Sequence, residues 1–326
     1  MARQGAARRG EAIFFLTDGL TMKNKVKSPD PMLQVPSVLR SLTKAVPHAY
    51  IQWNETIRVE RQFEINRPES EFPYIRVTVP DAWPYIRLAP LYDVHLGARE
   101  MDKPKFYRDL TWLINEPYAL SFNGGDLWDN AIKSSIASSF ADDATPNEQF
   151  EMAKHTLSSL LPKMMFGIPG NHEDRTGKTA DLDVSALLHE QLGIPYSRDY
   201  MFCAIQWRGN VFRILAHHGT GAAATPGGQR NAARRDIPWA HGCDLYWTGH
   251  LHQSLVDPIQ IAFFDQRENL PISKEIYSII SPSYVTYFGG YAAKKRLGPG
   301  ARGLATVILR EDGRIDSELH ARGRRL

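Results

Sequence analysis

The feature that most constrains this chain is an apolar, strand-like run that stops dead at a polar cluster. Residues 164–168 (Met-Met-Phe-Gly-Ile) read as a short buried strand, Pro169-Gly170 turns the chain, and Asn171, His172, Glu173 and Asp174 follow at once. Four more runs end in the same way. Asp93 and His95 follow an apolar stretch over 85–92, and Asp126 follows 118–122 by way of Gly125. His217 and His218 follow 211–216, and His250 and His252 follow 245–247. Alternation along an extended strand would point Asp93 and His95 the same way. Ligands of open α/β sheets collect just beyond the carboxyl ends of strands, so a metal or an anion is expected there. Taken singly, Gly-Asn-His-Glu describes no more than a polar turn, and any one histidine is equally a surface or satisfied core residue.

In chain order the five blocks read Asp-x-His, Gly-Asp, Gly-Asn-His-Glu, His-Gly and Gly-His-x-His. This ordered set resembles the calcineurin-like metallophosphoesterases, a superfamily of phosphatases, phosphodiesterases and nucleases built on two metal ions, over residues 83–310. The resemblance implies an α/β fold, a four-layer α/β/β/α sandwich. Residues 83–326 would form the catalytic domain and residues 1–82 an N-terminal extension or small module of unknown role. Asp93, His95 and His252 would hold one ion, Asn171, His218 and His250 the other, and Asp126 would bridge them. In family variants ending His-x-Pro, His217 would stand in for His218; the His-Gly order favours His218. His172 is implied as the residue that reaches the phosphate and protonates the leaving oxygen, a task suited to a near-neutral imidazole, with Glu173 orienting its ring. Mixed imidazole, carboxylate and amide donors suit Mn, Fe, Zn, Ni or Co, and two divalent ions, manganese first, are expected.

The chain has 326 residues and 43% hydrophobic content, enough for one large domain or two with a buried core. No apolar run approaches the ~18 residues of a membrane span. Residues 12–16, behind a basic start, are too few for a secretory apolar segment, so the expected location is cytoplasmic. Cys203 and Cys243 lack metal-ligand spacing and read as buried thiols. Net charge is +3, but basic residues gather at Arg3/Arg8/Arg9, Arg230/Arg234/Arg235, Lys294/Lys295/Arg296 and Arg322/Arg324/Arg325. Terminal runs read as solvated tails, and the internal clusters as flanks for an anionic substrate.

Helices are expected over 104–114 and 183–192, and over the stretch opened by Thr145-Pro146-Asn147-Glu148. That tetrad supplies an N-cap, a proline at N1 and a capping-box glutamate, and Phe150, Ala153, Leu157, Leu160 and Leu161 then share a face. Residues 37–46 read as a short helix and 50–53, 56–59 and 75–79 as strands. A hairpin is expected from 201–207 and 211–216 about Arg208-Gly209-Asn210, with later strands at 259–264, 276–280, 305–310 and 315–319. Residues 131–143 read as a loop or short helix over the metal site. Residues 219–228 read either as a loop bringing amides to an anion or as a plain flexible one.

Gly-Gly-Asp-Leu-Trp-Asp, Thr-Pro-Asn-Glu-Gln, Leu-Gly-Ile-Pro-Tyr and His-His-Gly-Thr-Gly are most similar to phage- and prophage-borne members of the superfamily. By analogy, the expected substrate is DNA, another nucleic acid or a nucleotide, and the expected activity that of a phosphodiesterase or nuclease. A small-molecule phosphatase or phosphodiesterase is the alternative. A scaffold of the same fold would have lost ligands or the catalytic histidine, and none is lost here. Phe288, Tyr291, Lys294, Lys295 and Arg296 read either as a surface for single strands or as a solvated turn.

Overall fold

Apolar runs and turn residues build two mixed sheets in the computed structural model, which describes residues 58–61, 72–132, 142–221, 223, 225–265, 267–286 and 300–319. In chain order the elements are β1 (Arg58–Arg61), β2 (Tyr74–Thr78), β3 (Ile86–Leu88), α1 (Lys103–Asn115), β4 (Ala119–Asn123), α2 (Pro146–Leu160), β5 (Met164–Gly167), α3 (Asp174–Ala180) and α4 (Val184–Leu192). They continue with β6 (Tyr200–Trp207), β7 (Asn210–His217), α5 (Pro226–Ala233), β8 (Leu245–Thr248), β9 (Leu255–Asp265), β10 (Leu270–Ile280), β11 (Ala305–Leu309) and β12 (Ile315–Leu319). A seven-stranded sheet has the order β1-β2-β6-β7-β8-β10-β9, and a five-stranded sheet the order β12-β11-β3-β4-β5.

Parallel pairing dominates where the site lies. β3, β4 and β5 are mutually parallel, as are β7, β8 and β10. Parallel strands are covered on both faces and read as unbroken apolar runs, and β4, β5 and β8 are buried at every position. One apolar cluster takes Leu88, Phe122, Phe166 and Val307 from the smaller sheet and Val77, Ile205, Ile214 and Trp247 from the larger. Phe122 stacks on Phe166 at 4.5 Å and meets Trp247 edge-on at 5.8 Å. The two sheets therefore share a core. Residues 72–82 take part, since β2 runs parallel to β6 and buries Ile75, Val77 and Val79 there.

The capping box at α2 forms as read: Glu148 N–H donates to Thr145 Oγ1 at 3.3 Å, and Thr145 N–H to the Glu148 carboxylate at 2.7 Å. Ala153, Leu157 and Leu160 are buried, whereas Leu161 lies outside the helix and is 39% exposed. The β6–β7 turn is tighter than expected. Arg208 and Gly209 both take positive φ, 48° and 76°, and Trp207 pairs with Asn210, so the connection is a two-residue hairpin. Residues 226–228, the end of the expected loop, are helical, because Thr225 caps α5 through the Gly228 N–H at 3.2 Å and Pro226 opens the helix. β9 and β10 are each 11 residues, longer than the expected 259–264 and 276–280, because they pair continuously from Leu270 with Asp265 to Ile280 with Leu255.

Both cysteines are free and buried. No helix among the described residues is long and apolar enough to cross a membrane. The expected elements at 37–46 and 50–53, most of 131–143, and Phe288, Tyr291, Lys294, Lys295 and Arg296 lie outside the described residues.

Candidate metal centre

Past Leu88 the chain stays in step with β4 through isolated bridges, Leu91 to Asn123 and Leu96 to Trp128. Asp93 and His95 sit between those bridges. They do not alternate as strand residues, for their φ values are 48° and 53°. Asp126, His250 and His252 are also left-handed, at 52°, 65° and 51°. A backbone conformation unfavourable for residues with a Cβ recurs at five of the seven expected ligands, and it persists only where surrounding structure imposes it. Two glycines make the approach possible. A Cβ on Gly170 would fall 2.0 Å from Asp126 Oδ1, and one on Gly249 would fall 2.5 Å from Asp93 Oδ2.

The side chains converge from both sheets. Asp126 Oδ2 lies 3.2 Å from His218 Nε2, 3.8 Å from His172 Nε2 and 3.9 Å from His95 Nε2. Asp93 Oδ1 lies 3.3 Å from His252 Nε2 and 3.9 Å from His218 Nε2. Asp93, His95 and His252 form one group with ligand atoms within 4.8 Å of one another, and Asp126, His218 and His250 form a second. His217 turns elsewhere, with Nε2 2.5 Å from Asp236 Oδ2.

Hydrogen bonds set the tautomers. His95 Nδ1 faces Asp129 Oδ1 at 3.0 Å, and His218 Nδ1–H donates to Gly124 O at 3.0 Å, so each aims the lone pair of Nε2 at the centre. His250 is reversed: its Nε2–H donates to Gly221 O at 2.9 Å, leaving Nδ1 for the centre. His95 Nε2 and His252 Nε2 face each other at 3.2 Å, a contact that requires a proton or a cation on one of them.

The donor set fits a metal. Asp93 Oδ1, Asn171 Oδ1 and His218 Nε2 are buried without a properly directed hydrogen bond, and all three belong to expected ligands. In their protonated or charged states these residues lean on one another. Burial opposes the His218 charge, but Asp126 and Asp93 raise its pKa to about 10. Burial would raise Asp126, yet His172 and His218 hold it well below the usual carboxylate range. For His172, burial is again outweighed, and the Asp126 and Asp129 carboxylates raise its pKa to about 9.

Glu173 does not orient the His172 ring as expected. Its carboxylate accepts backbone N–H groups from Leu127 at 2.7 Å, Gly170 at 2.8 Å and Asp126 at 3.0 Å, tying the Asp126 loop to the Asn171 loop. Burial and the neighbouring Asp126 raise its pKa to about 7. Asp129 orients the imidazole instead: His172 Nδ1 lies 2.7 Å from Asp129 O and 3.1 Å from its Oδ1. Arg175, one turn on, reaches Asp129 O at 2.9 Å and His172 Nε2 at 2.8 Å. Asn130 completes the link, donating to His172 O at 2.8 Å. These residues escaped the sequence reading, although Asp129 closes the Gly-Gly-Asp-Leu-Trp-Asp segment. Arg230 and Arg234 pair with Asp257 and hold α5 to β9, so their charges serve the fold.

No family model and no curated protein matches the chain. Among solved structures it is similar to a protein of unknown function from Aquifex aeolicus, at 19% identity over 51% of this chain and 80% of that one, with a TM-score of 0.28. It is also similar to calcineurin-like phosphoesterase YfkN from Bacillus subtilis, at 14% identity over 72% of this chain and 88% of that one, with a TM-score of 0.35. Likenesses this distant say nothing of activity or substrate.

Proposed function

We propose that this chain is a binuclear metal-dependent phosphoesterase of the calcineurin-like type, with a four-layer α/β/β/α catalytic domain, acting as a phosphodiesterase or nuclease on nucleic acid or nucleotides. The observation that carries the reading is the Asp126 carboxylate, set 3.2–3.9 Å from the Nε2 atoms of His218, His172 and His95 while Asp93 Oδ1, Asn171 Oδ1 and His218 Nε2 lack a properly directed hydrogen bond. Asp93, His95 and His252 would hold one ion, Asn171, His218 and His250 the other, and Asp126 both. Two divalent ions held there would neutralise the phosphoryl oxygens and activate water as a nucleophile.

The chain's own residues supply the rest. As water adds to phosphorus and the ester P–O bond breaks, the leaving oxygen needs a proton, and His172 Nε2, 3.8 Å from the Asp126 carboxylate and not assigned as a ligand, would supply it once protonated and freed from the Arg175 guanidinium that it now accepts from. Asp129 accepts from the other ring nitrogen, Nδ1, and so fixes the orientation of the imidazole. Glu173 keeps the loops carrying Asp126 and His172 in mutual register.

The test is a substrate panel after chelation and reloading with Mn: bis-p-nitrophenyl phosphate, p-nitrophenyl phosphate, cyclic nucleotides, and single- and double-stranded DNA. Metal-dependent turnover with diesters ahead of the monoester is expected. A metal-loaded protein inert toward the whole panel would overturn the reading.

A further inference from the structure

Beside the metal centre lies a cavity of about 200 Å³ lined by Tyr200, His217, Arg235, Asp236 and Trp239. Gly219 and Leu251 bound it, the chain neighbours of His218 and of His250 and His252. Whole small-molecule ligands fill roughly 300–1,000 Å³, so this space suits one ring system of a larger substrate.

A single buried anion organises its wall. Asp236, 8% exposed, commits both carboxylate oxygens: Oδ2 lies 2.5 Å from His217 Nε2, and Oδ1 accepts the Trp239 indole N–H at 3.1 Å. An imidazole and an indole are thus held in fixed orientations before any ligand arrives. Such preorganisation lowers the ordering cost of binding. The indole nevertheless stays 48% exposed and packs edge-on against Tyr200 at 5.8 Å, leaving aromatic surface open to a flat partner. Arg235 donates to Thr220 Oγ1 at 3.2 Å. Unlike Arg230 and Arg234, it has no carboxylate partner among the described residues. Asp199 lines the cavity as well, so Arg235 shares it with two carboxylates, and the aromatic wall and fixed polar rim are what match a heterocycle, ring stacked on ring, with Arg235 the cation on the side of its phosphate.

We infer that this cavity is a base subsite, taking the heterocyclic ring of a nucleotide whose phosphodiester lies at the metal centre. The inference rests on the phosphoesterase reading and gives its preference for nucleotide esters a place in the fold.

Two substrates with the same leaving group separate the two ideas: thymidine 5′-(p-nitrophenyl phosphate) and methyl p-nitrophenyl phosphate. With Mn-loaded protein, kcat/KM should favour the thymidine ester. The ratio should drop about 5- to 150-fold in Trp239→Ala, the span of one lost base stack, and be largely retained in Trp239→Phe. Arg235→Gln removes a cation that faces the phosphate both esters share, so it should lower kcat/KM for both and leave the ratio nearly unchanged. Apart from turnover, equilibrium dialysis of thymidine 5′-monophosphate should show binding to wild type that weakens by a similar factor in Trp239→Ala. An unchanged ratio and unchanged nucleotide binding in Trp239→Ala would overturn the subsite while leaving the phosphoesterase intact. Failure of wild type to hydrolyse either ester, or any member of the substrate panel above, would overturn the phosphoesterase itself.

Discussion

Asp126 and Glu173 are buried carboxylates that meet at one loop with different partners, and substitution separates their tasks. Asp126 faces imidazoles and, as the proposed bridge, has no substitute of equal charge in Asp126→Asn. Metal content and activity should fall together, and two ions per chain with near-normal turnover would rule the bridge out. Glu173 faces backbone N–H groups of Leu127, Gly170 and Asp126. Glu173→Gln sets an NH₂ donor against those donors, which should cost about 1–3 kcal/mol of stability and loosen metal binding. A denaturation midpoint and metal content equal to wild type would remove the clamp. His172 is different again, being outside the proposed ligand set and held by Asp129. His172→Asn should keep its metal and slow turnover roughly 10²–10⁴-fold, less for esters with good leaving groups. An equal loss across leaving groups would point to a binding role.

Elements whose signals are local were legible. Each of the five strand ends couples an apolar run, a turn and a ligand within a few residues, and α2 announces itself through Thr145, Pro146 and Glu148. What was not legible depends on contacts made across the chain. α3 buries no residue, so it has no apolar stripe to read. Asp129 and Arg175 gain meaning only when His172, 43 residues from Asp129, arrives between them. His189 is a similar case. From α4 it donates Nδ1–H to Ser185 O at 2.7 Å and fills the space that a Cβ on Gly167 would need, 1.9 Å from its Nε2. Burial pushes its pKa down to about 4. Below the ordinary imidazole value the unfolded chain binds a proton that the folded chain refuses, so stability falls as pH drops from about 6.5 to 4, by about 3 kcal/mol at the lower limit. Urea midpoints of wild type and His189→Gln between pH 7 and pH 4 check this. The variant should lose less on acidification, and parallel curves would assign the acid sensitivity elsewhere.

At the scale of the whole molecule the site is a clasp between two sheets. Asp93, His95, Asp126 and Asn171 follow strands of the five-stranded sheet, while His218, His250 and His252 follow strands of the seven-stranded one. No local pattern in the sequence says which strands share a sheet. Drawn from both sheets, the ligand set cannot persist once the sheets separate, so bound metal must favour the folded state. The gain is RT ln(1 + [L]/Kd) for ions that ignore the unfolded chain, about 2.7 kcal/mol per site at a hundredfold excess over Kd. For a domain of 150–250 residues each kcal/mol moves Tm by roughly 2–4 °C, so one saturated site should raise it by about 5–11 °C. The metal-free protein carries further handicaps, since Asp93 Oδ1, Asn171 Oδ1 and His218 Nε2 stay buried without a properly directed hydrogen bond. Thermal melts across a Mn titration should therefore shift upward with log concentration. Chelation should reverse the shift, and Asp126→Asn should remove most of it. A Tm indifferent to Mn, and likewise to Fe, Zn, Ni and Co, in the wild type would show that these seven residues, close as they are, do not hold a metal.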